Sequence, residues 1–85
     1  MNAYVYILYS ERSDHYYTGQ SGDPMQRLGY HNSIEKGYTA RYRPWKLVYT
    51  LKCDSKAEAR QKEKMIKGWK NKNKVRGLVK GEITV

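Results

Sequence analysis

The chain has 85 residues, and 17 Lys and Arg against 8 Asp and Glu give it a formal net charge of +9. This length leaves room for one domain built on one hydrophobic core, and an apolar fraction of 39% with nine Tyr and no Phe predicts a small core. No apolar run approaches the roughly 20 residues of a membrane-spanning helix, and residues 1–9 lack a signal-peptide pattern, so we expect a cytoplasmic protein without membrane contacts.

The N-terminal residues predict a β-hairpin. Residues 3–9 (AYVYILY) are aromatic and β-branched and place large side chains on both faces, which is typical of a strand buried on both sides. The polar residues 10–14 (SERSD) predict a turn. Strand character resumes over residues 15–18, and Gly19 interrupts it.

A helix is predicted to begin at Pro24. Asp23 can accept from the first free backbone N–H groups, and Pro24 suits the first helical position, so the helix should run to about residue 31 or 32. Residues 33–44 have no clear period, and Pro44 disfavours helix at the residue before it. We therefore predict a loop over that segment.

The remaining residues predict one strand and two helices. Residues 45–52 (WKLVYTLK) alternate as in a strand that is covered mainly on one face. Ser55 and Glu58 have the spacing of a capping box, which predicts a helix through about Trp69. A second helix is expected over residues 72–79.

The order of these elements indicates an α+β fold, a three-stranded and mainly antiparallel sheet flanked by helices. We place residues 1–80 in a single domain and expect residues 81–85 to form a short, frayed tail. The segment GQSG at residues 19–22 matches neither Gly-rich phosphate-binding motif, which excludes P-loop and dinucleotide-binding enzymes. Cys53 is the single cysteine, so an intrachain disulfide and a cysteine zinc site are excluded as well.

The positive charge is concentrated in one segment. Ten of the 17 cationic residues fall within residues 56–80, against Glu58 and Glu63. A solvated helix face is the ordinary explanation, but self-repulsion at this density favours a polyanionic partner, and we predict nucleic acid rather than a membrane surface. The residues expected to contact it are Arg41, Arg43, Lys46, Lys67, Lys70, Lys72 and Lys74.

Three further residues have ionisable side chains that the packing of the predicted helices does not require. Arg27 and His31 are four residues apart and therefore neighbours on one face of the first predicted helix. Glu63 lies at the border of the buried arc of the long helix. Taken alone, the first two could be a solvent-facing pair, and Glu63 could form a surface ion pair with Lys67.

The order and spacing of these residues resemble the GIY-YIG nuclease superfamily, especially its small stand-alone bacterial members. Residues 5–7 (VYI) correspond to the first family tripeptide and residues 17–19 (YTG) to the second, eleven residues apart from Tyr to Tyr. Arg27 and His31 follow in QRLGYHN, and Glu63 follows in EARQKEKMIKGWK. The resemblance covers most of the chain and implies the fold of that superfamily.

The chain departs from the family pattern at three points. Val5 replaces the first Gly and Thr18 replaces the middle Ile, although both tripeptides keep their Tyr. Larger nucleases of the family often carry an Asn beyond the long helix, and the sequence does not decide whether Asn71 or Asn73 corresponds to it.

The resemblance, together with the chemistry of phosphodiester hydrolysis, implies a role for each site residue. Glu63 would hold one Mg²⁺ or Mn²⁺ ion. Tyr6 would orient or deprotonate the attacking water with help from His31, and Tyr17 would hydrogen-bond within this network. Arg27 would bind the scissile phosphate.

We therefore expect a metal-dependent DNA endonuclease, with repair or processing of DNA as the pathway suggested by the family. The alternative is a nucleic-acid-binding module that keeps the nuclease fold but cleaves poorly or not at all. An RNA-associated role also stays open, because contacts to the phosphate backbone do not distinguish RNA from DNA. The sequence leaves the oligomeric state open, since a monomer and a dimer are both physically reasonable.

Overall fold

The computed structural model describes residues 3–33 and 36–85, so residues 34 and 35 of the predicted loop lie outside the described residues. In chain order, the elements are β1 (Ala3–Ser10), β2 (His15–Ser21), α1 (Pro24–Ser33), α2 (Tyr38–Arg41), β3 (Lys46–Cys53), α3 (Lys56–Trp69) and α4 (Lys72–Val79). The strands form one sheet in the order β2-β1-β3, with β1 antiparallel to both neighbours. The predicted α+β fold with an antiparallel sheet is confirmed. Across the described residues, no helix is long and apolar enough to cross a membrane.

The central strand β1 is buried on both faces, as its sequence predicts, and it separates two hydrophobic clusters. The α3 face joins the sheet to α3 and α4 and contains Ala3, Val5, Ile7, Cys53, Ala59, Ile66, Val75 and Leu78. The α1 face joins the sheet to α1 and contains Tyr6, Leu8 and Trp45, with Tyr17, Leu28, Tyr42 and Leu47 packed against them. The expectation of one core is therefore wrong. A strand alternates its side chains between two faces, so a central strand with large residues at every position builds a cluster on each side.

Strand β3 contains an irregularity that its sequence does not reveal. Ile7 pairs with Tyr49 while Leu8 pairs with Leu47, so one residue is inserted into β3 between these two pairs. Such a bulge changes the face on which the following side chains lie. Leu47 accordingly packs on the α1 face, whereas Tyr49 and Leu51 pack on the α3 face. The predicted single covered face of this strand is wrong for that reason.

Trp45 precedes β3 instead of opening it, and it anchors the preceding loop. Its backbone N–H donates to Oδ1 of Asn32 over 2.6 Å, and its indole Nε1 donates to the carbonyl oxygen of Thr39 over 2.8 Å. The carbonyl belongs to α2, a four-residue helix within the segment that we predicted as a loop. An element of this length is too short to produce a recognisable period in the sequence.

The helix boundaries follow local signals closely. The side chain of Asp23 accepts from the backbone N–H of Gln26, and α1 extends to Ser33. Ser55 accepts from the backbone N–H of Glu58, as the capping box predicts. The carboxylate of Glu58 reaches back one residue further than expected and accepts from the N–H of Asp54 over 2.8 Å.

The C-terminal residues are packed rather than frayed. Ile83 and Val85 contact the α3 face, and the backbone N–H of Glu82 donates to the carbonyl oxygen of Gly77 over 2.8 Å. Packing of these two apolar side chains against the α3 face explains why residues 81–85 stay attached to the domain.

Candidate active site

Tyr6 lies at the centre of the candidate site. Its side chain is 1% exposed and projects from β1 onto the α1 face. Gly19 is its direct partner on β2, and a Cβ atom at residue 19 would lie 2.5 Å from the phenol oxygen of Tyr6. The glycine of the second tripeptide therefore leaves room for the tyrosine of the first.

His31 contacts the phenol of Tyr6 from α1. The phenol oxygen lies 3.1 Å from Nε2 of His31, and Nδ1 lies 3.0 Å from Oγ1 of Thr39 on α2. Burial lowers the pKa of His31, and the positive charge of Arg27 lowers it further, so the imidazole is neutral at neutral pH. With its hydrogen on Nδ1, His31 donates to Thr39 and accepts from Tyr6.

Arg27 reaches the same cluster from one turn earlier on α1. Its guanidinium carbon lies 4.6 Å from the centre of the Tyr30 ring, a cation–π contact that restricts the guanidinium. Burial raises the pKa of Tyr6, and the neighbouring guanidinium of Arg27 offsets only part of this rise. Tyr6 is therefore a neutral phenol at neutral pH and needs a proton acceptor before it can act as a base.

Tyr17, which is half-buried, packs against both Tyr6 and His31. Its ring centre lies 4.8 Å from that of His31 and 6.5 Å from that of Tyr6. The ring centres of Tyr38 and Trp45 lie 6.4 and 6.2 Å from that of Tyr17. The predicted tyrosine pair is thus brought together, with His31 in contact with both members.

Glu63 approaches from α3 and is paired with Lys67. Oε2 of Glu63 lies 2.9 Å from Nζ of Lys67, and the Glu63 side chain is 20% exposed. This is the i,i+4 pair that we considered as the ordinary explanation, but it is not remote from the cluster. The charge of Glu63 adds to the raised pKa of Tyr6, and Nζ of Lys67 lies 5.4 Å from the centre of the Tyr17 ring.

Lys67 belongs to the cluster, although the sequence predicts for it only contacts with nucleic acid or a surface ion pair with Glu63. Burial by itself would lower the pKa of its ammonium group, but the carboxylate of Glu63 outweighs burial and the pKa is raised. Lys67 therefore stays charged beside Glu63. Thr39 was missed altogether, because only the folded loop brings its hydroxyl to His31.

The carboxylate of Glu63 is the group in this cluster that could hold a metal ion. Within residues 3–33 and 36–85, no three His, Cys, Asp or Glu side chains group together as an all-protein metal site. One carboxylate suits Mg²⁺ or Mn²⁺, because hard divalent ions at phosphoryl-transfer sites complete their coordination with water and phosphate oxygens. Glu63 therefore fits a divalent ion that is shared with a phosphate ligand.

The residues predicted to contact nucleic acid lie in several surroundings. Lys67, Lys70 and Lys72 line one cleft beside Tyr17. Lys46 forms an ion pair with Glu11 over 2.6 Å, and Nζ of Lys74 lies 4.5 Å from the centre of the Trp69 ring. The carbonyl oxygen of Arg43 accepts from the side chain of Arg12. Arg41 is exposed at the end of α2.

The two asparagines that the sequence left unassigned lie at the start of α4. The side chain of Asn71 caps this helix by accepting from the backbone N–H groups of Asn73 and Lys74. Asn71 also lines the cleft beside Tyr17. Helix capping is therefore a structural reason for Asn71 at this position.

Comparison with known proteins agrees with the fold and the motifs. The chain is similar to the UPF0213 protein BH0048 from Bacillus halodurans, whose solution NMR structure is 36% identical, with a TM-score of 0.58. The match covers 94% of this chain and 84% of that chain. No curated protein matches the chain. The family model of the GIY-YIG catalytic domain matches residues 2–76, and the chain therefore belongs to the GIY-YIG nuclease family.

Proposed function

We propose that this protein is a metal-dependent endonuclease that hydrolyses phosphodiester bonds in DNA. The observation that carries the proposal is the 3.1 Å contact between the phenol oxygen of Tyr6 and Nε2 of His31, beside Arg27 and Glu63. A buried phenol next to a neutral imidazole, a guanidinium and a carboxylate provides a proton acceptor, an anion-binding group and a metal ligand. Metal-dependent hydrolysis of a phosphodiester uses groups of all three kinds.

Tyr6 and His31 together serve as the base for the attacking water. Water forms a bond to phosphorus, and its proton moves to the phenol oxygen of Tyr6 as the phenol's own proton moves to Nε2 of His31. The raised pKa of Tyr6 requires this second acceptor, because the phenol is not ionised at neutral pH. The lowered pKa of His31 keeps that acceptor neutral before the reaction begins.

Arg27 binds the phosphate on which negative charge develops. A guanidinium donates to two phosphate oxygens at once, and its contact with the Tyr30 ring restricts its orientation before the substrate arrives. The bond between phosphorus and the leaving oxygen then breaks, and the leaving alkoxide takes a proton from solvent water. Tyr17 keeps water away from the far side of His31 through its ring contact.

Glu63 would hold Mg²⁺ or Mn²⁺ at the phosphate. When bound, the ion would supply Lewis-acid stabilisation of the charge that builds on the phosphate and leaving oxygens. Lys67, which pairs with Oε2 of Glu63, keeps the carboxylate oriented when no substrate is present.

A second candidate is a nucleic-acid-binding module without cleavage. The ion pair of Glu63 with Lys67 favours it, because an ammonium already neutralises the one carboxylate assigned to a metal. The positive charge of the chain fits this candidate as well as it fits the enzyme.

Cleavage assays separate the two candidates. Supercoiled, single-stranded and branched DNA and a structured RNA are incubated with purified protein in Mg²⁺, Mn²⁺ or a chelator. We expect metal-dependent cleavage of DNA that Glu63→Gln and Tyr6→Phe each reduce by at least about 100-fold. Glu11→Gln is the matched control, because Glu11 forms an exposed ion pair with Lys46 outside the cluster. Binding without cleavage in every metal would establish the second candidate. Cleavage of RNA alone would show that the substrate is RNA rather than DNA.

A further inference from the structure

A cleft lies beside the edge strand β2 and is lined in part by Tyr17. It has a volume of about 390 Å³, within the range of small-molecule sites. The residues that line it are His15, Tyr16, Tyr17, Thr18, Tyr38, Ile66, Lys67, Lys70, Asn71, Lys72 and Val75. None of the proposed catalytic steps uses this space beyond Tyr17 and Lys67.

The walls of the cleft are aromatic and apolar. Tyr17 and Tyr38 form one wall, with ring centres 6.4 Å apart, and Ile66 and Val75 lie opposite on the α3 face. Tyr38, which is the one aromatic residue of the short helix α2, is 54% exposed. An exposed tyrosine face beside a second tyrosine is a surface on which a planar ring can stack.

The rim of the cleft is positively charged. Lys67, Lys70 and Lys72 surround it, and Lys72 is also paired with Asp14 over 3.2 Å. Lys70 adopts a left-handed conformation with φ of 49°, a position at the end of a helix that glycine normally occupies. A lysine is thus kept at the rim against its backbone preference. The charge pattern complements a ligand that joins a planar ring to anionic groups on either side.

Two residues make the cleft continuous with the candidate active site. Tyr17 contacts His31 and also lines the cleft. Lys67 pairs with Glu63, the proposed metal ligand, and also lines the cleft. A strand whose phosphate lies at Arg27 and Glu63 therefore passes the mouth of the cleft within its neighbouring nucleotides.

We propose that this cleft binds an unpaired nucleobase of the strand being cut, with the base against Tyr38 and its flanking phosphates on Lys67 and Lys70. A base within a duplex is covered on both faces by its neighbours and cannot enter such a cleft. The substrate class is therefore DNA with unpaired nucleotides beside the scissile phosphate, such as a single strand or a flap. This inference rests on the proposed function for its scissile phosphate, but its test needs no cleavage.

The test measures binding in a chelator by fluorescence anisotropy. The probes are an oligothymidylate of about 12 nucleotides, a strand of equal length and charge made of abasic sites, and a blunt duplex. Stacking of one base on an aromatic ring changes affinity by roughly 5- to 150-fold. We expect the wild-type protein to bind the thymidine strand about tenfold more tightly than the abasic strand, and more tightly than the duplex.

Substitutions of Tyr38 test whether the cleft causes this preference for a strand with bases. Tyr38→Ala should bring the ratio of the two single-strand affinities close to one, whereas Tyr38→Phe, which keeps the aromatic face, should retain it. Equal affinities of the wild-type protein for both single strands would overturn the proposal, as would an unchanged ratio in Tyr38→Ala or equally tight binding of the duplex.

Failure of the proposed function gives a different result. A base preference without cleavage in any metal removes the endonuclease and leaves the cleft assignment standing. Cleavage without a base preference removes the cleft assignment alone, and failure to bind any of the three probes removes both.

Discussion

Tyr6 on β1 faces Gly19 on β2, and its phenol occupies the space where a side chain at residue 19 would begin. A Cβ atom there would lie 2.5 Å from the phenol oxygen and 2.6 Å from Cζ. Both distances are shorter than any comfortable van der Waals contact. The two tripeptides of the family motif are therefore linked by sterics, because the first supplies a buried phenol and the second supplies the space for it.

Gly19→Ala should consequently disturb the site from a residue that takes no part in the chemistry. The added methyl group displaces the Tyr6 ring, which is held on its other side by His31. Overpacking of this kind costs about 1–3 kcal/mol, so the free energy of unfolding should fall by that amount. Urea denaturation measures the loss, and cleavage should fall with it because the contact between Tyr6 and His31 is broken.

Gly29→Ala is the matched control for this substitution. Gly29 lies within α1, and no other residue approaches the position of its missing Cβ within 4 Å. Alanine has the higher helix propensity, so this variant should gain about 0.5–1 kcal/mol. Equal stabilities of the two variants would contradict the steric argument.

The hydroxyl of Thr39 should matter to both stability and catalysis. Thr39→Val keeps the shape of the side chain but removes the partner of Nδ1 of His31, which is 3.0 Å away in a buried setting. An unpaired buried donor costs about 1–3 kcal/mol, and the freed imidazole can turn away from Tyr6. Thr39→Ser restores the hydroxyl and should recover most of the single-turnover cleavage rate. Similar rates for the Val and Ser variants would show that Thr39 only packs against His31.

Stability should fall on the acid side of neutrality because of His31. The pKa of His31 is lowered in the folded protein, so the unfolded chain takes up the proton first as the pH falls. The contribution of His31 is therefore complete above its unfolded pKa of about 6.5 and is lost progressively below it. Urea midpoints measured between pH 8 and pH 5 should show this decline. Carboxylates with ordinary pKa values keep their charge over this interval, so they should contribute little to it.

His31→Gln tests whether this imidazole causes the decline. The variant should be less stable at pH 8, since a buried contact to Tyr6 is altered, but its stability should depend less on pH over the same interval. His15, which is half-buried and stacks on Tyr42, provides the comparison. If His15→Gln abolishes the decline and His31→Gln does not, His31 is not its cause.

Much of the fold could be predicted because its signals are local. The capping box at Ser55 marks the start of α3, and α3 and α4 both end where the sequence predicts. The errors come from tertiary contacts. Trp45 leaves the strand pattern because its indole donates to Thr39, and the bulge between the partners of Ile7 and Leu8 has no marker in the sequence of β3.

The candidate site, like the fold, is only partly predictable from the sequence. Tyr6, Tyr17, Arg27, His31 and Glu63 could be named from the family motifs, and the structure brings them together. Their partners are only partly predictable. The i,i+4 spacing indicates the pairing of Lys67 with Glu63, but Lys67 is placed beside Tyr17 only by the fold. Thr39 reaches His31 only through the fold of α2. The family motifs identify candidate catalytic residues, whereas the contacts that support those residues depend on packing.

Lys70→Gly should stabilise the protein and weaken its binding to nucleic acid. Lys70 has φ of 49° between α3 and α4, where glycine avoids the clash of its Cβ with the backbone. Relief of that strain should add about 1 kcal/mol to the free energy of unfolding. Loss of one phosphate contact should lower affinity for a single strand and reduce the slope of log K against log salt by about 0.7.

Lys70→Ala separates these two effects, because it removes the charge and keeps the strained backbone. It should lose affinity to the same extent as Lys70→Gly without the gain in stability, as measured by urea denaturation and salt titrations of binding. Opposite effects on stability and binding at one residue are expected where a side chain is retained for function against the local backbone preference. A stability gain in Lys70→Gly with unchanged affinity and salt slope would mean that the ammonium group does not contact phosphate, and the cleft would then lose one of its two assigned phosphate ligands.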